Sequence, residues 1–235
     1  MDTLGKMKEA KKMMENKIKQ EEQKVTLLTK ETKLALDRKE NYLIAEEDGK
    51  YSFSIKDKTL LYLFNKGHNL DLTFSLSEKA NFTLSFACIS DHDCKVNLRV
   101  YHETSHTKSE VSCHGLSTNQ TLTFAIEGYV PKYKKGCICN QKSMIHNLKK
   151  GKGEIDPDLY IEEFDVTANH SAFVGPLEEE KIFYLNTKGI PTKMATQLLL
   201  KSFLLGTSQN QIYNQEIERD LEKTIYYGGE KNESR

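Results

Sequence analysis

Apolar residues change their spacing twice along the chain. From Met1 to about Glu47 they are sparse, and Leu4, Met7, Met14, Ile18, Val25 and Leu28 recur at steps of three, four and seven. That spacing keeps them on one face of a helix whose other faces are charged. It predicts a helical segment over residues 1–47 that touches a partner along one seam, packs on its own domain, or frays. The middle of the chain has period two: Leu70, Leu72, Phe74 and Leu76, then Phe82, Leu84, Phe86 and Cys88. The alternation resumes at Cys94, Val96, Leu98 and Val100, and again at Leu122, Phe124 and Ile126. Short runs of this kind, broken by Ser, Asp, Asn and Gly, predict strands with one buried face. So many short strands across residues 48–173 imply a sandwich, a barrel or a β-solenoid. From Leu177 the spacing is helical again. One segment runs to Gly189, and a second starts at Pro191 and carries Met194, Leu198, Phe203 and Leu204 to Gly206. A third sets Ile217, Leu221 and Ile225 at four-residue steps. Residues 174–227 therefore read as a helical subdomain, followed by a disordered tail at 228–235.

Composition explains part of this pattern. The chain has 235 residues, 34 Lys+Arg against 34 Asp+Glu, 37% hydrophobic residues and a mean hydropathy of −0.62. No apolar run approaches the ~20 residues of a membrane span, and no secretory stretch opens the chain. Zero net charge argues against nucleic acid as a partner, because phosphate binding needs a basic surplus. The low apolar share requires an elongated fold with a thin interior, or a segment outside the core. The cysteines are Cys88, Cys94, Cys113, Cys137 and Cys139. An odd set implies free thiols in a reducing, cytoplasmic compartment.

Cys88, Cys94 and Cys113 fall in phase with the apolar positions of their strands and read as core residues. Cys137 and Cys139 differ: they lie in Lys134-Lys135-Gly136-Cys137-Ile138-Cys139-Asn140-Gln141, a polar and locally basic stretch. Neighbouring lysines favour thiolate, and on a strand both sulfurs point to one face. A single C-x-C cannot close a four-cysteine site. His102 and His106 have helical zinc-ligand spacing but fall in strand or turn, and His92 reads as a hairpin tip. No nucleophile–base constellation, P-loop or dinucleotide fingerprint is present, so no catalytic activity is expected.

The stretch from Tyr160 carries more information. It includes Ala168-Asn169-His170-Ser171-Ala172-Phe173-Val174-Gly175, then Glu178-Glu179-Glu180-Lys181-Ile182-Phe183-Tyr184-Leu185, then Thr187-Lys188-Gly189-Ile190 and an apolar helix. In order and spacing this resembles the C-terminal signature of the SufB/SufD family of iron–sulfur cluster assembly proteins. Asn169 and Ser171 stand where SufB-type members carry glutamates, which makes the likeness closer to SufD or to single-type proteins.

The resemblance implies a mainly β fold: a right-handed parallel β-helix flanked by an N-terminal helix and a C-terminal helical subdomain. It implies a scaffold subunit that binds a SufC-type ABC ATPase and pairs with a second SufB/SufD-type protomer, as homodimer or heterodimer, without membrane or nucleic acid. A transient iron–sulfur cluster would assemble at the protomer interface. The implied ligand candidates are His170, Cys139 and Cys137. The implied ATPase-docking residues are Leu177, Ile182, Phe183, Tyr184, Leu185, Gly189, Ile190, Leu198 and Phe203. The alternative is a structural partner that keeps the docking helices and binds no cluster.

Overall fold

A computed structural model describes residues 24–29, 36 and 38–226. Twelve strands come first: β1 (Val25–Leu28), β2 (Glu40–Ala45), β3 (Gly49–Ile55), β4 (Lys58–Asn65), β5 (Leu70–Leu76) and β6 (Asn81–Ser90). They continue as β7 (Cys94–His102), β8 (Lys108–Ser117), β9 (Thr121–Val130), β10 (Cys137–Asn147), β11 (Lys152–Ile161) and β12 (Val166–Gly175). Three helices follow: α1 (Glu179–Thr187), α2 (Thr192–Leu205) and α3 (Gln211–Tyr226). All strand pairs are parallel, in two sheets. Sheet A has the order β1-β2-β4-β6-β8-β10-β12 and sheet B the order β11-β9-β7-β5-β3. The chain thus passes from one sheet to the other and back, which is a parallel β-solenoid.

The period-two pattern marks the inward faces. Leu72, Leu98 and Ile126 stack through sheet B, facing Leu61, Leu84 and Val111 in sheet A. Phe53, Phe74, Phe82, Phe86 and Phe124 fill the space between the sheets. Where a strand is apolar on both faces, a helix covers its outside. Residues 41–45 are all buried, and Tyr42, Ile44, Tyr62, Phe64, Ala87, Ile89 and Leu116 form a second core with Leu200, Leu204, Tyr213, Ile217 and Leu221 of α2 and α3. The outer face of sheet B stays polar, and β5, β7 and β9 alternate between buried and half-buried. There Arg99 bridges Asp71 and Glu127, and Tyr101, Tyr129 and Tyr160 stack across three strands.

Two local expectations change. Val25 and Leu28, spaced for a helix, lie in β1, where a short β-branched Val-Thr-Leu-Leu run pairs with β2. The rest of the expected helical stripe, Leu4 to Ile18, lies outside the described residues, as does the expected tail at 228–235. His92 sits in the crossing from β6 in sheet A to β7 in sheet B, so it is no hairpin tip. Among the described residues no helix is long and apolar enough to cross a membrane.

Phe86 is fully buried and meets Phe124 edge-on at 5.7 Å. Phe86→Ala is expected to lower unfolding free energy by about 3–5 kcal/mol, read from the urea midpoint.

Candidate functional site at the open end of the solenoid

The interior changes character along its axis. One inward ladder of sheet A runs Leu61, Leu84, Val111, Gln141, His170. It is apolar for three coils and polar for the last two. Opposite Gln141 the wall of sheet B is Gly128. A Cβ there would lie 2.6 Å from Cys139 Sγ and 2.8 Å from Gln141 Nε2. The missing side chain is what gives two polar groups room in the lumen. Gln141 Nε2 donates to the Asp158 carbonyl at 3.4 Å, while Gln141 Oε1 and Ser143 Oγ are buried with no hydrogen-bond partner among the described residues.

Beyond this coil the solenoid has no cap among the described residues. β12 ends sheet A and β11 ends sheet B, so two strand edges lie side by side with their outer backbone groups unpaired. Phe173, Val174 and Tyr160 are about two-fifths exposed (42%, 40% and 44%). His170 stands on β12, and its Nδ1 lies 3.1 Å from the Pro157 carbonyl of β11. A carbonyl only accepts, so Nδ1 carries the proton and the Nε2 lone pair is free on the exposed side. Outside the lumen, Asn169 donates to Asn140 at 3.0 Å and Asn140 to Glu110 at 2.9 Å, which holds the last strand in register.

The thiols are not where the locally basic sequence suggested. Cys137 and Cys139 both point into the lumen and are 1% exposed. The flanking lysines belong to the turn before β10. Burial pushes the Cys139 thiol up, partly offset by a hydrogen bond from Ser109, with Cys137 and Glu110 adding to the rise. Burial also pushes Cys113 up to about 12. Cys88, Cys94 and Cys113 are buried core residues, as their phase required. Among the described residues no three His, Cys, Asp or Glu side chains come together as a metal site.

Beside the two thiols lies a polar cluster that sequence spacing missed. His102 is completely buried, with Nδ1 2.8 Å from Thr107 Oγ1 and Nε2 3.0 Å from Ser109 Oγ. Thr107 Oγ1 in turn lies 3.4 Å from Cys137 Sγ. The signal was present in the alternation: His102 continues the inward phase of Val96, Leu98 and Val100. His102 ends β7 and His106 lies in the turn after it, so the two share no helix face.

The helical subdomain divides the expected docking residues into two groups. Leu177 and Phe203 turn inward onto the second core. Phe203 packs against His114 and His146, with ring centres 4.8 and 4.6 Å away. By contrast α1 buries no residue. Phe183 and Tyr184 on α1, with Met194 and Leu198 on the neighbouring α2, are exposed apolar groups. Ile182, Leu185 and Ile190 are half-buried, and Gly189, with φ +80, makes the turn between the helices.

Comparison with known proteins gives this arrangement a family. The family model described as SUF system FeS cluster assembly, SufBD core domain, matches residues 68–203. The chain belongs to the SufB/SufD family. Iron–sulfur cluster assembly protein SufD of Plasmodium berghei (strain Anka) is 25% identical over 213 residues, 82% of this chain and 15% of that protein. SufD of Bacillus subtilis (strain 168) is 41% identical over 56 residues, 24% of this chain and 13% of its own. SufD of Escherichia coli (strain K12) is 41% identical over 61 residues, 25% and 14% respectively. The matched segments thus span about a seventh of the relatives' own lengths. Within the SufB/SufD core of this chain lie β5 to β12, α1 and nearly all of α2, including His170, both lumen thiols and His102.

Burial lowers the His102 pKa to about 4, well below the ordinary histidine value of 6.5. The unfolded chain therefore takes up a proton near pH 6.5 that the folded chain refuses until about pH 4. Stability falls as pH drops through that window, and the loss for one such ring is roughly 3 kcal/mol. In His102→Gln the fall between pH 7 and pH 4 should be shallower by about that amount, measured by urea unfolding across a pH series. An unchanged slope would contradict a neutral buried ring.

Proposed function

We infer that this chain is a scaffold subunit for iron–sulfur cluster assembly, not an enzyme in its own right. It binds a SufC-type ABC ATPase through its helical subdomain and pairs with a second SufB/SufD-type protomer through the open end of the solenoid. The observation that carries the reading is the position of His170. Its free Nε2 lies on the last strand of a solenoid that has no cap there among the described residues, where a facing protomer can add strands and supply further ligands. Neutral imidazole suits iron, and a cluster held by ligands from two subunits is released when the interface moves. The cluster is cargo in this scheme. ATP hydrolysis resides in the partner, and the five buried free thiols suit a reducing cytoplasm.

Exposed backbone edges and the half-exposed Phe173 and Val174 support pairing at this end, by strand addition and apolar burial. The exposure of Phe183, Tyr184, Met194 and Leu198 supports ATPase docking, because an α-helix with no buried residue gains little from its own domain. A second reading keeps the same partners without a cluster. It is favoured by one fact: among the described residues His170 belongs to no ligand group within the chain.

Co-expression with the ATPase and a SufB-type protomer, followed by anaerobic reconstitution, separates the two readings. On the first, the complex takes up iron and sulfide, and His170→Ala loses the cluster absorption while remaining assembled. Iron-free complexes of normal composition select the second reading. Phe183→Asp combined with Tyr184→Asp should weaken ATPase binding by at least about tenfold in calorimetry, without a change in thermal stability. Phe173→Glu should shift the paired species to monomer in sedimentation velocity. A dimer that survives this change places the interface elsewhere.

A further inference from the structure

Helix α3 carries two acid–base pairs at the same spacing, and only one of them is closed. Glu216 and Arg219, three residues apart, form an ion pair. Asp220 and Lys223 repeat that spacing, but no ion pair or hydrogen bond joins them, and Lys223 acts on the carboxylate only across space. Both line a cavity of about 330 Å³ between α3 and the solenoid. The opposite wall comes from the crossings that leave sheet A on three successive coils: Lys66 after β4, Asp91 after β6, and Thr118 and Asn119 after β8. Ile89 adds one apolar surface. Small-molecule sites typically occupy roughly 300–1,000 Å³, so this space suits a small ligand.

The charges around the cavity decide what can enter it. Lys66 is held by Glu46 at 2.6 Å and by Glu216 at 3.0 Å, so its ammonium is already neutralised. Asp91 and Asp220 line the same space, and a bare anion would meet two carboxylates there. Asp220 is half-buried; burial raises its carboxyl above the ordinary value, and Lys66 and Lys223 oppose the rise. A carboxylate partly withdrawn from water without a donor gains most from a charge-assisted hydrogen bond. Thr118 Oγ1 gives its proton to the Ser90 carbonyl at 3.3 Å, which leaves its lone pairs to accept. Lys223 and the Asn119 side-chain amide are donors that make no hydrogen bond among the described residues. We propose that this cavity binds a small zwitterion of the amino-acid class, with its ammonium on Asp220 and its carboxylate on Lys223. Thr118 serves as a further acceptor and Asn119 as a further donor. The occupant closes the open pair by standing between its two charges. This goes beyond the scaffold reading and needs neither cluster nor ATPase, since His170, Cys137 and Cys139 do not line the cavity.

Glycine, β-alanine, 4-aminobutyrate and 6-aminohexanoate are suitable probes, because they vary the distance between the two charges. Butylamine and butyrate are the single-charge controls. In titrations of the full chain followed by two-dimensional amide NMR, at least one zwitterion should saturate in the millimolar range or below. Its shifts should centre on Ile89, Asp91, Thr118 and Asn119. Each control should bind at least about tenfold more weakly, having lost one charge-assisted contact. Asp220→Asn and Lys223→Gln should each weaken the zwitterion by at least about tenfold in proteins whose amide spectra remain folded. Glu222→Gln, beside Lys223 but outside the cavity lining, should bind as the wild type does. No saturable zwitterion binding to the wild-type chain, control binding of equal strength, or undiminished binding by the folded variants would each overturn the proposal. A response to magnesium or calcium in place of the zwitterions would overturn it as well.

Discussion

The constraint on which this structure depends is backbone hydrogen bonding between coils. In a parallel solenoid each strand's N–H and C=O groups are met by the strand above and the strand below. In-register stacking then places like residues on like: Leu61 on Leu84 on Val111, and Leu72 on Leu98 on Ile126. The same rule leaves the final strands half-satisfied. Among the described residues β11 and β12 are therefore the end of the two sheets, and His170 is carried there by register. Its tautomer is set by the same coil, through the Pro157 carbonyl.

Apolar stacking would be the most stable filling for every coil, yet the last coils carry His102, Cys137, Cys139, Gln141 and Ser143 inside. Burying such groups costs free energy unless each finds a partner. His102 finds two hydroxyls, whereas Gln141 Oε1 and Ser143 Oγ find no partner among the described residues. The lumen beside the open end carries a cluster of such groups, whereas phenylalanines fill most of the first coils.

Much of this was legible in the chain, for physical reasons. Period-two runs at 70–88 and 94–100 marked strands because one face of each is packed and the other wet. The helical segments after Leu177 were marked by four-residue spacing and by Gly189, Pro191 and Gly206. Residues 41–45 were harder to read, since α3 covers their outer face and erases the alternation. Val25 and Leu28 fit a helical spacing, and only the pairing of the short Val-Thr-Leu-Leu run with β2 shows that they are strand. The direction of the Cys137 and Cys139 side chains was not legible either. A locally basic turn precedes them, and only the pairing of β10 with β8 shows that the thiols face inward while the lysines do not. His170 was found by motif, and its free nitrogen only by geometry.

The helices lying across sheet A have a consequence for how the molecule comes apart. A bare solenoid behaves as a row of near-neighbour units, each able to melt or fray with little effect on coils further along. Here Tyr213 meets both Tyr42 of β2 and Tyr62 of β4. Lys66 joins Glu46 to Glu216 of α3, and Phe203 bridges His114 of β8 and His146 of β10. These ties span five successive strands of sheet A and act as a splint against coil-by-coil melting. They turn a one-dimensional array into a single cooperative block, so force applied to the helical subdomain is shared along the row of coils instead of peeling away the nearest one.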